Sequence, residues 1–311
     1  MALFCDVTIT MGALKESLYS DMAKDYVGEV ICVDLGISHA KYTEGFETDV
    51  FLLEECDIKL PTRTRENTHK GNFGHLAVIA GEKEGASVMA GLSALRFGAG
   101  LVSLIGEIES SLPIELMQDI ELPYNTTAIA FGMGFVEFEN EIIEDILDSK
   151  VPLVLDAGIF SSEMLLEFLE QKDREIVLTP HPKEFVSLWN MTIDSPLNIA
   201  ILQANRFEKV REFCSVFPHV TLLLKGANII IAKDKELFIN PYGSSKLSKG
   251  GSGDVLAGLI GSLLAQGYES LEATTQASLA FTAGAKAYDG ASYAMLPTDL
   301  IEEIGKLEKA I

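Results

Sequence analysis

Short apolar runs rich in β-branched residues alternate with helical periodicity along most of this chain, and that alternation restricts its fold more than any other feature. The predicted strands are Glu29–Asp34, His75–Ala80, Leu101–Ile105, Thr127–Gly132, Pro152–Asp156, Ile176–Thr179, Val220–Lys225, Asn228–Ala232 and Glu236–Asn240. Several are apolar throughout, as expected of strands covered on both faces. Apolar residues recur at helical spacing over about Ala86–Phe97, Glu139–Leu147, Ser162–Glu170 and Leu197–Phe213. The pattern predicts an α/β protein with a mostly parallel central sheet and right-handed crossovers. From Gly253 onward the chain reads as mainly helical.

Ligands of such sheets bind beyond the carboxyl ends of the strands. Five punctuated segments fall at predicted strand ends: Ala80-Gly81, Gly132-Met133-Gly134, Asp156-Ala157-Gly158, Thr179-Pro180-His181-Pro182 and Lys225-Gly226. Any one of them could be an ordinary turn. Their shared position is the stronger signal.

Charge narrows the partners. A formal net charge of −22 over 311 residues repels a phosphate backbone, so nucleic acid is not expected. A small anion could still bind in a pocket of backbone amides and a few cations. The four cysteines, Cys5, Cys32, Cys56 and Cys214, show neither a CxxC nor a metal-ligand spacing and read as reduced thiols. No signal-peptide pattern opens the sequence. The most apolar run, Val255–Ala265, is too short for a membrane span. A soluble, cytoplasmic protein is expected.

One segment carries chemistry by itself. In Lys249-Gly250-Gly251-Ser252-Gly253-Asp254, three glycines surround Ser252. Glycine allows positive φ and leaves amides uncovered, so successive N–H groups can converge on an anion. Val255, Leu256, Leu259, Ile260, Leu263 and Leu264 then recur at helical spacing, which puts the turn at a helix amino end. Asp254 would stay ionised beside that positive end and could take a proton from a nearby hydroxyl. A simpler account makes Ser252 or Asp254 an N-cap with a glycine for tight entry. That explains one glycine and not three in four positions. Neither GxxxxGK[ST] nor GxGxxG occurs.

Asn240-Pro241-Tyr242-Gly243, followed by KLSKGGSGDVLAGLIGSLLAQG, resembles the signature of the NAD(P)H-hydrate dehydratases, a branch of the ribokinase-like superfamily. Four more segments match in order: HKGNFGHLAVIAG with GASVMAGLSALRFGAGLV, FGMGF (Phe131–Phe135), LTPHPKEF (Leu178–Phe185) and LLLKGANIIIA (Leu222–Ala232). The resemblance covers about residues 66–311 and implies a ribokinase-like three-layer α/β/α fold. It also implies dehydration of hydrated NADH or NADPH driven by ADP or ATP with Mg²⁺. Departures are Ser248-Lys249 for the family's Ala-Thr, Met133 for a proline and Lys183 for a glycine.

Carried over by motif position, Asp254 is the catalytic base and contacts the hydrate. Ala86, Gly134 and His181 are its other contacts, the first two by clearance and His181 by hydrogen bonding. Lys225, Gly226, Ala227, Asn228 and Ile229 correspond to a nucleotide-binding stretch, joined by Gly250, Gly251, Ser252 and Gly253. Asp156 either orients water or Mg²⁺ near the phosphates or caps a strand end, and no metal ligand is assigned. A homo-oligomer is the expected form. The competing reading is a ribokinase-like kinase of a hydroxymethylpyrimidine, a thiazole or a sugar, which would use the same turn and base.

Residues 1–60 read differently: one strand, then the acidic, irregular stretch Tyr42–Glu55, then a polar linker from Pro61. Cys5–Leu18 and Tyr26–Ser38 resemble the closing part of an NAD(P)H-hydrate epimerase domain. We expect two parts, residues 1–60 as such a remnant and 61–311 as the dehydratase domain. Lys15 and Asp34 are then structural, and no epimerase activity is expected of the chain.

Overall fold

A computed structural model describes residues 3–36, 41, 44–45, 48–134 and 140–307, without the side chains of residues 140 and 141. Phe135 of the FGMGF segment, Glu139 of a predicted helix, Ser38 and Tyr42 lie outside the described residues.

The central sheet has ten strands. Along the chain these are β3 (Val50–Leu52), β4 (His75–Ile79), β5 (Leu101–Ile105), β6 (Met117–Asp119), β7 (Ala128–Phe131), β8 (Leu153–Leu155), β9 (Ile176–Leu178), β10 (Val220–Leu224), β11 (Ile229–Lys233) and β12 (Glu236–Asn240). Their spatial order is β3-β12-β11-β10-β9-β8-β7-β4-β5-β6. Every pairing is parallel except the two made by β11, which returns from β10 and leads into β12 as hairpins. β1 (Val7–Met11) and β2 (Glu29–Val33) form a separate two-stranded parallel sheet.

The sheet is covered on both faces, giving three layers. Along each strand the side chains alternate between two cores, as the pleat requires. Leu76, Val78, Ala128, Ala130, Val154 and Val177 enter one core. Ala77, Ile79, Ile129, Phe131, Leu153 and Ile176 enter the other. The first core is closed by α2 (Glu84–Arg96), α8 (Ser252–Ala265), α9 (Ser270–Ala287) and α10 (Pro297–Ile304). The second is closed by α3 (Asn140–Ser149), α4 (Leu165–Leu169), α5 (Pro182–Thr192), α6 (Ile199–Ala204) and α7 (Arg206–Val216). Helix α8 is buried almost throughout, because α2 and α9 flank it on the sheet.

Where the structure departs from the sequence reading, the reason is local. The helix expected over Ser162–Glu170 is only Leu165–Leu169, preceded by a 3₁₀ turn at Ala157–Ser161. The helix expected over Leu197–Phe213 breaks at Asn205, which leaves the helical region at φ −136° and ψ 34°. The stretch read as irregular, Tyr42–Glu55, contains β3, which pairs with β12 at the edge of the main sheet. Residues 50–59 are further tied to α9 by Lys286–Glu55 and by Lys59 N–H donating to Gln276 Oε1 at 2.5 Å. No helix of the described residues is long and apolar enough to cross a membrane.

Candidate active site

The five punctuated segments follow β4, β7, β8, β9 and β10, which are consecutive and mutually parallel neighbours in the sheet. Their carboxyl ends therefore lie side by side along one edge. The glycine turn meets that edge from the first-core side, since it leads into α8.

Gly251 is the N-cap of α8, in the left-handed conformation at φ 96°, and a methyl there would also meet Pro297 Cγ at 2.8 Å. No side chain caps this helix end among the described residues, so neither Ser252 nor Asp254 acts as the cap. The Ser252 N–H donates to the Lys249 carbonyl at 3.2 Å, which leaves the Gly253 N–H for another acceptor. A methyl on Gly253 would sit 3.2 Å from Lys225 Nζ and 3.7 Å from Asp156 Oδ2, which fixes how closely the turn approaches the strand ends.

Lys225 Nζ and Asp156 Oδ1 are 2.6 Å apart, so this lysine is already partnered by a nearly buried carboxylate. Around them stand Asp254 and Glu184. Burial first, and then the Asp156 charge, push the Asp254 carboxyl up to about 6, against the pull of Lys225 and its own backbone amide. Burial likewise raises Glu184, opposed by the His181 backbone N–H and by Lys225. The sequence reading kept Asp254 ionised through the helix end alone. The structure adds two neighbouring carboxylates and desolvation, which bring it close to neutral pH.

His181 is the N-cap of α5. Its Nδ1 accepts the N–H groups of Lys183 and Glu184, each at 3.1 Å, while Glu184 Oε2 accepts the His181 N–H at 2.8 Å. That reciprocal box holds the loop rigid. The other ring nitrogen, Nε2, lies 3.2 Å from Glu184 Oε1. Glu184 escaped the sequence reading, although its position three residues after a capping residue was the available signal.

A cleft of about 920 Å³ opens beside this cluster. His181, Lys225, Gly226, Ala227, Ile229, Gly250, Ser252 and Gly253 line it, as do Lys249, Lys24 and Asp25. Asn228 does not. Its side chain is 2% exposed and turned away, its Nδ2 donating to the Tyr19 carbonyl at 2.8 Å and its Oδ1 accepting from Lys24. Ala86 and Gly134 stand apart from the cleft and are joined through Lys83, whose N–H donates to the Gly134 carbonyl and whose carbonyl accepts the Ala86 N–H. Gly134, at φ 70°, has no room for a side chain beside Lys83. No group of three or more His, Cys, Asp or Glu among the described residues is placed to hold a metal.

The family model described as NAD(P)H-hydrate dehydratase matches residues 76–306. A bifunctional NAD(P)H-hydrate repair enzyme of Helicobacter pylori is 45% identical over 98% of this chain and 65% of its own length. An ADP-dependent (S)-NAD(P)H-hydrate dehydratase of Neisseria meningitidis is 34% identical over 67% of this chain and 75% of its own. Among solved structures, the ADP/ATP-dependent NAD(P)H-hydrate dehydratase of Bacillus subtilis, co-crystallised with ATP and Mg²⁺ and soaked with CoA, superposes with a TM-score of 0.69. It is 26% identical, over 85% of this chain and 99% of that one. The chain spans 55–65% of the length of the bifunctional relatives it matches.

Proposed function

The chain belongs to the NAD(P)H-hydrate dehydratase family, and we propose that it uses ADP or ATP to dehydrate the (S)-hydrates of NADH and NADPH, with Asp254 as the base. The observation that carries this reading is Asp254 itself: a carboxyl at about 6, at an uncapped helix amino end, beside a cleft large enough for a nucleotide. A base works best with a pKa near the operating pH. In our reading Asp254 takes the proton of the ring hydroxyl, and that oxygen attacks the terminal phosphorus. The bond to the next phosphate breaks, leaving a phosphate ester on the ring. The ring C–O bond then breaks as the neighbouring carbon gives up a proton. Inorganic phosphate leaves and the ring double bond returns. Hydroxide leaves poorly and phosphate leaves well, so the protein's task is alignment and charge stabilisation.

We assign the nucleotide to the cleft lined by Gly226, Ala227 and Ile229, with its phosphates toward Gly250, Gly251, Ser252 and Gly253. Lys225 remains a phosphate contact that works from its pairing with Asp156. Asn228 serves by holding this stretch rather than by touching the nucleotide. Ala86, Gly134 and His181 form the hydrate side. The carboxylates make no metal cage of their own, and Mg²⁺ favours one or two carboxylates plus phosphates. Asp156 would hold a Mg²⁺ carried by the nucleotide, and the ion would supply neutralisation of phosphate charge there. We also propose that residues 61–311, with β3 added at the edge of their sheet, make up the dehydratase domain, that the residues before β3 descend from an epimerase domain, and that the protein works in the cytoplasm as a homo-oligomer. Four free cysteines, three of them exposed, suit a reducing compartment.

The test mixes the protein with hydrated NADH and either ADP or ATP and follows the reduced-nicotinamide absorbance together with released phosphate. Recovery of absorbance with stoichiometric phosphate is expected. No recovery with either nucleotide, together with phosphorylation of a hydroxymethylpyrimidine, thiazole or sugar, would sink the dehydratase reading in favour of a kinase.

A further inference from the structure

The stretch Lys225–Ile229 is held by residues two hundred positions earlier in the chain. Asp21 Oδ1 accepts the Asn228 N–H at 3.0 Å, and the Tyr19 carbonyl accepts the Asn228 side-chain amide at 2.8 Å. The other Asp21 oxygen is ion-paired with Arg206 Nη1. The Arg206 Nη2 donates to the carbonyls of Leu224 and Lys225, at 3.3 and 3.1 Å. One carboxylate therefore grips both ends of the turn that leaves β10, directly at Asn228 and through Arg206 at Lys225. The guanidinium is 2% exposed, so the pair is shielded from solvent. Gly226 has no side chain because a methyl there would run into both members of the pair.

Lys24 belongs to the same segment, in α1 (Lys24–Val27), and reaches the wall of the cleft. Its Nζ donates to Asn228 Oδ1 at 3.1 Å and to the Pro241 carbonyl. Both acceptors are neutral, and no carboxylate lies within ion-pair distance of it among the described residues. An ammonium has three N–H donors. Two are committed to the protein, which leaves a fixed cation at the cleft with one donor to spare, its charge partly offset by Asp21 and Asp25. Burial pulls its pKa below the ordinary lysine value, opposed by Asp21 and Asp25. Lys249 and Gly250 of the glycine turn line the same cleft. In a chain of formal charge −22, three lysines (Lys24, Lys225 and Lys249) converging on one cleft suit a polyanion.

We propose that Lys24 is a nucleotide-contacting residue and that Asp21 is the positioning residue for the Lys225–Ile229 stretch, so that the N-terminal segment completes the nucleotide site. This rests on the assignment of that cleft to ADP or ATP. It goes beyond it by making residues outside the dehydratase motifs part of the site.

The experiment measures ADP binding by calorimetry for the full chain and for Lys24→Met, Lys24→Arg and Asp21→Asn, with steady-state kinetics alongside. Loss of one charge-assisted contact predicts ADP binding weaker by about tenfold in Lys24→Met, recovered to within about threefold in Lys24→Arg. Asp21→Asn should raise KM for the nucleotide by about tenfold while kcat and KM for the hydrate stay within about twofold, a split that general loosening of the fold does not produce. Thermal melts show whether Asp21→Asn folds, and Lys24→Met decides the matter if it does not. Wild-type ADP affinity in both Lys24→Met and Asp21→Asn overturns the proposal while leaving the dehydratase reading intact. ADP binding without dehydration by the wild type removes the dehydratase reading and leaves this one standing. Failure of the wild type to bind either ADP or ATP removes both.

Discussion

Asp254 carries two opposed demands. Its position at the amino end of α8 favours the carboxylate, yet burial and the charges of Asp156 and Glu184 favour the acid, and the balance falls at about 6. A carboxyl raised from 3.8 to about 6 costs the fold stability whenever it is ionised. That cost is absent below the unfolded value near 4, grows as pH rises to about 6, and is fully present above it. After allowance for partial solvent screening it is on the order of 2 kcal/mol. Asp254→Asn should therefore melt higher than the wild type at pH 7.5 and show little difference at pH 4. The same variant should lose about 10²- to 10⁴-fold in turnover, the usual worth of a positioned base. In the wild type kcat/KM should fall as pH drops through about 6. A variant that is both less stable at pH 7.5 and still active would show that Asp254 is neither strained nor the base.

At the scale of elements, on the proposed assignment of the site, the distance between α2 and α8 decides how the hydrate side meets the nucleotide side. Helix α2 begins at Glu84, two residues before Ala86, and α8 begins at Ser252, two residues before Asp254. The two helices touch through small residues: a methyl on Gly258 would collide with the Ala90 carbonyl and the Ser93 hydroxyl. Ser93 Oγ donates to the Val255 carbonyl at 3.0 Å, and Ser262 Oγ donates to the Ala94 carbonyl at 2.9 Å. Gly258→Ala must push the helices apart, at about 1–3 kcal/mol for overpacking a core. A lower melting temperature is expected together with a rise in KM for the hydrate, since Ala86 and Asp254 move relative to each other. An unchanged melting temperature would show that the interface has room the structure does not. These elements were readable in the sequence because their burial is periodic or complete. Strands β4 to β12, except β6, came out within one or two residues because both faces are covered and few other conformations hide so many apolar side chains. β6 was missed because its residues Met117, Gln118 and Asp119 are exposed and carry no pattern. β1 alternates, but in a sheet of two strands whose outer side chains Val7, Ile9 and Met11 are exposed, so it lacked the signature of a core strand.

For the whole molecule, what sequence order hides is who meets whom. Gly251, Gly253 and Asp254 were legible because their chemistry is local: a turn, a helix start and a base lie within six consecutive residues. The histidine cap at His181 was half legible, since its loop was visible and its partner Glu184 was not singled out. The roles of Asp21, Lys24 and Arg206 were not legible at all, because they arise from contacts spanning some two hundred positions. The same long-range assembly predicts a cooperative response to ligand. The cleft takes Lys24 from α1, His181 from the cap of α5, Lys225 from the end of β10 and Gly253 from the start of α8. A nucleotide bridging Lys24, Lys225 and Gly253 stabilises only the state in which all three are in place. At an ADP concentration one hundred times its Kd, linkage supplies about 2.7 kcal/mol. For a chain of 311 residues that is a rise of about 4 °C in a single melting transition. Lys24→Met, if its Kd is about tenfold higher, should show about half that stabilisation at the same ADP concentration. A melt that splits in two, with the upper transition alone responding to ADP, would mean that the N-terminal segment unfolds apart from the cleft, and that the site is built without it.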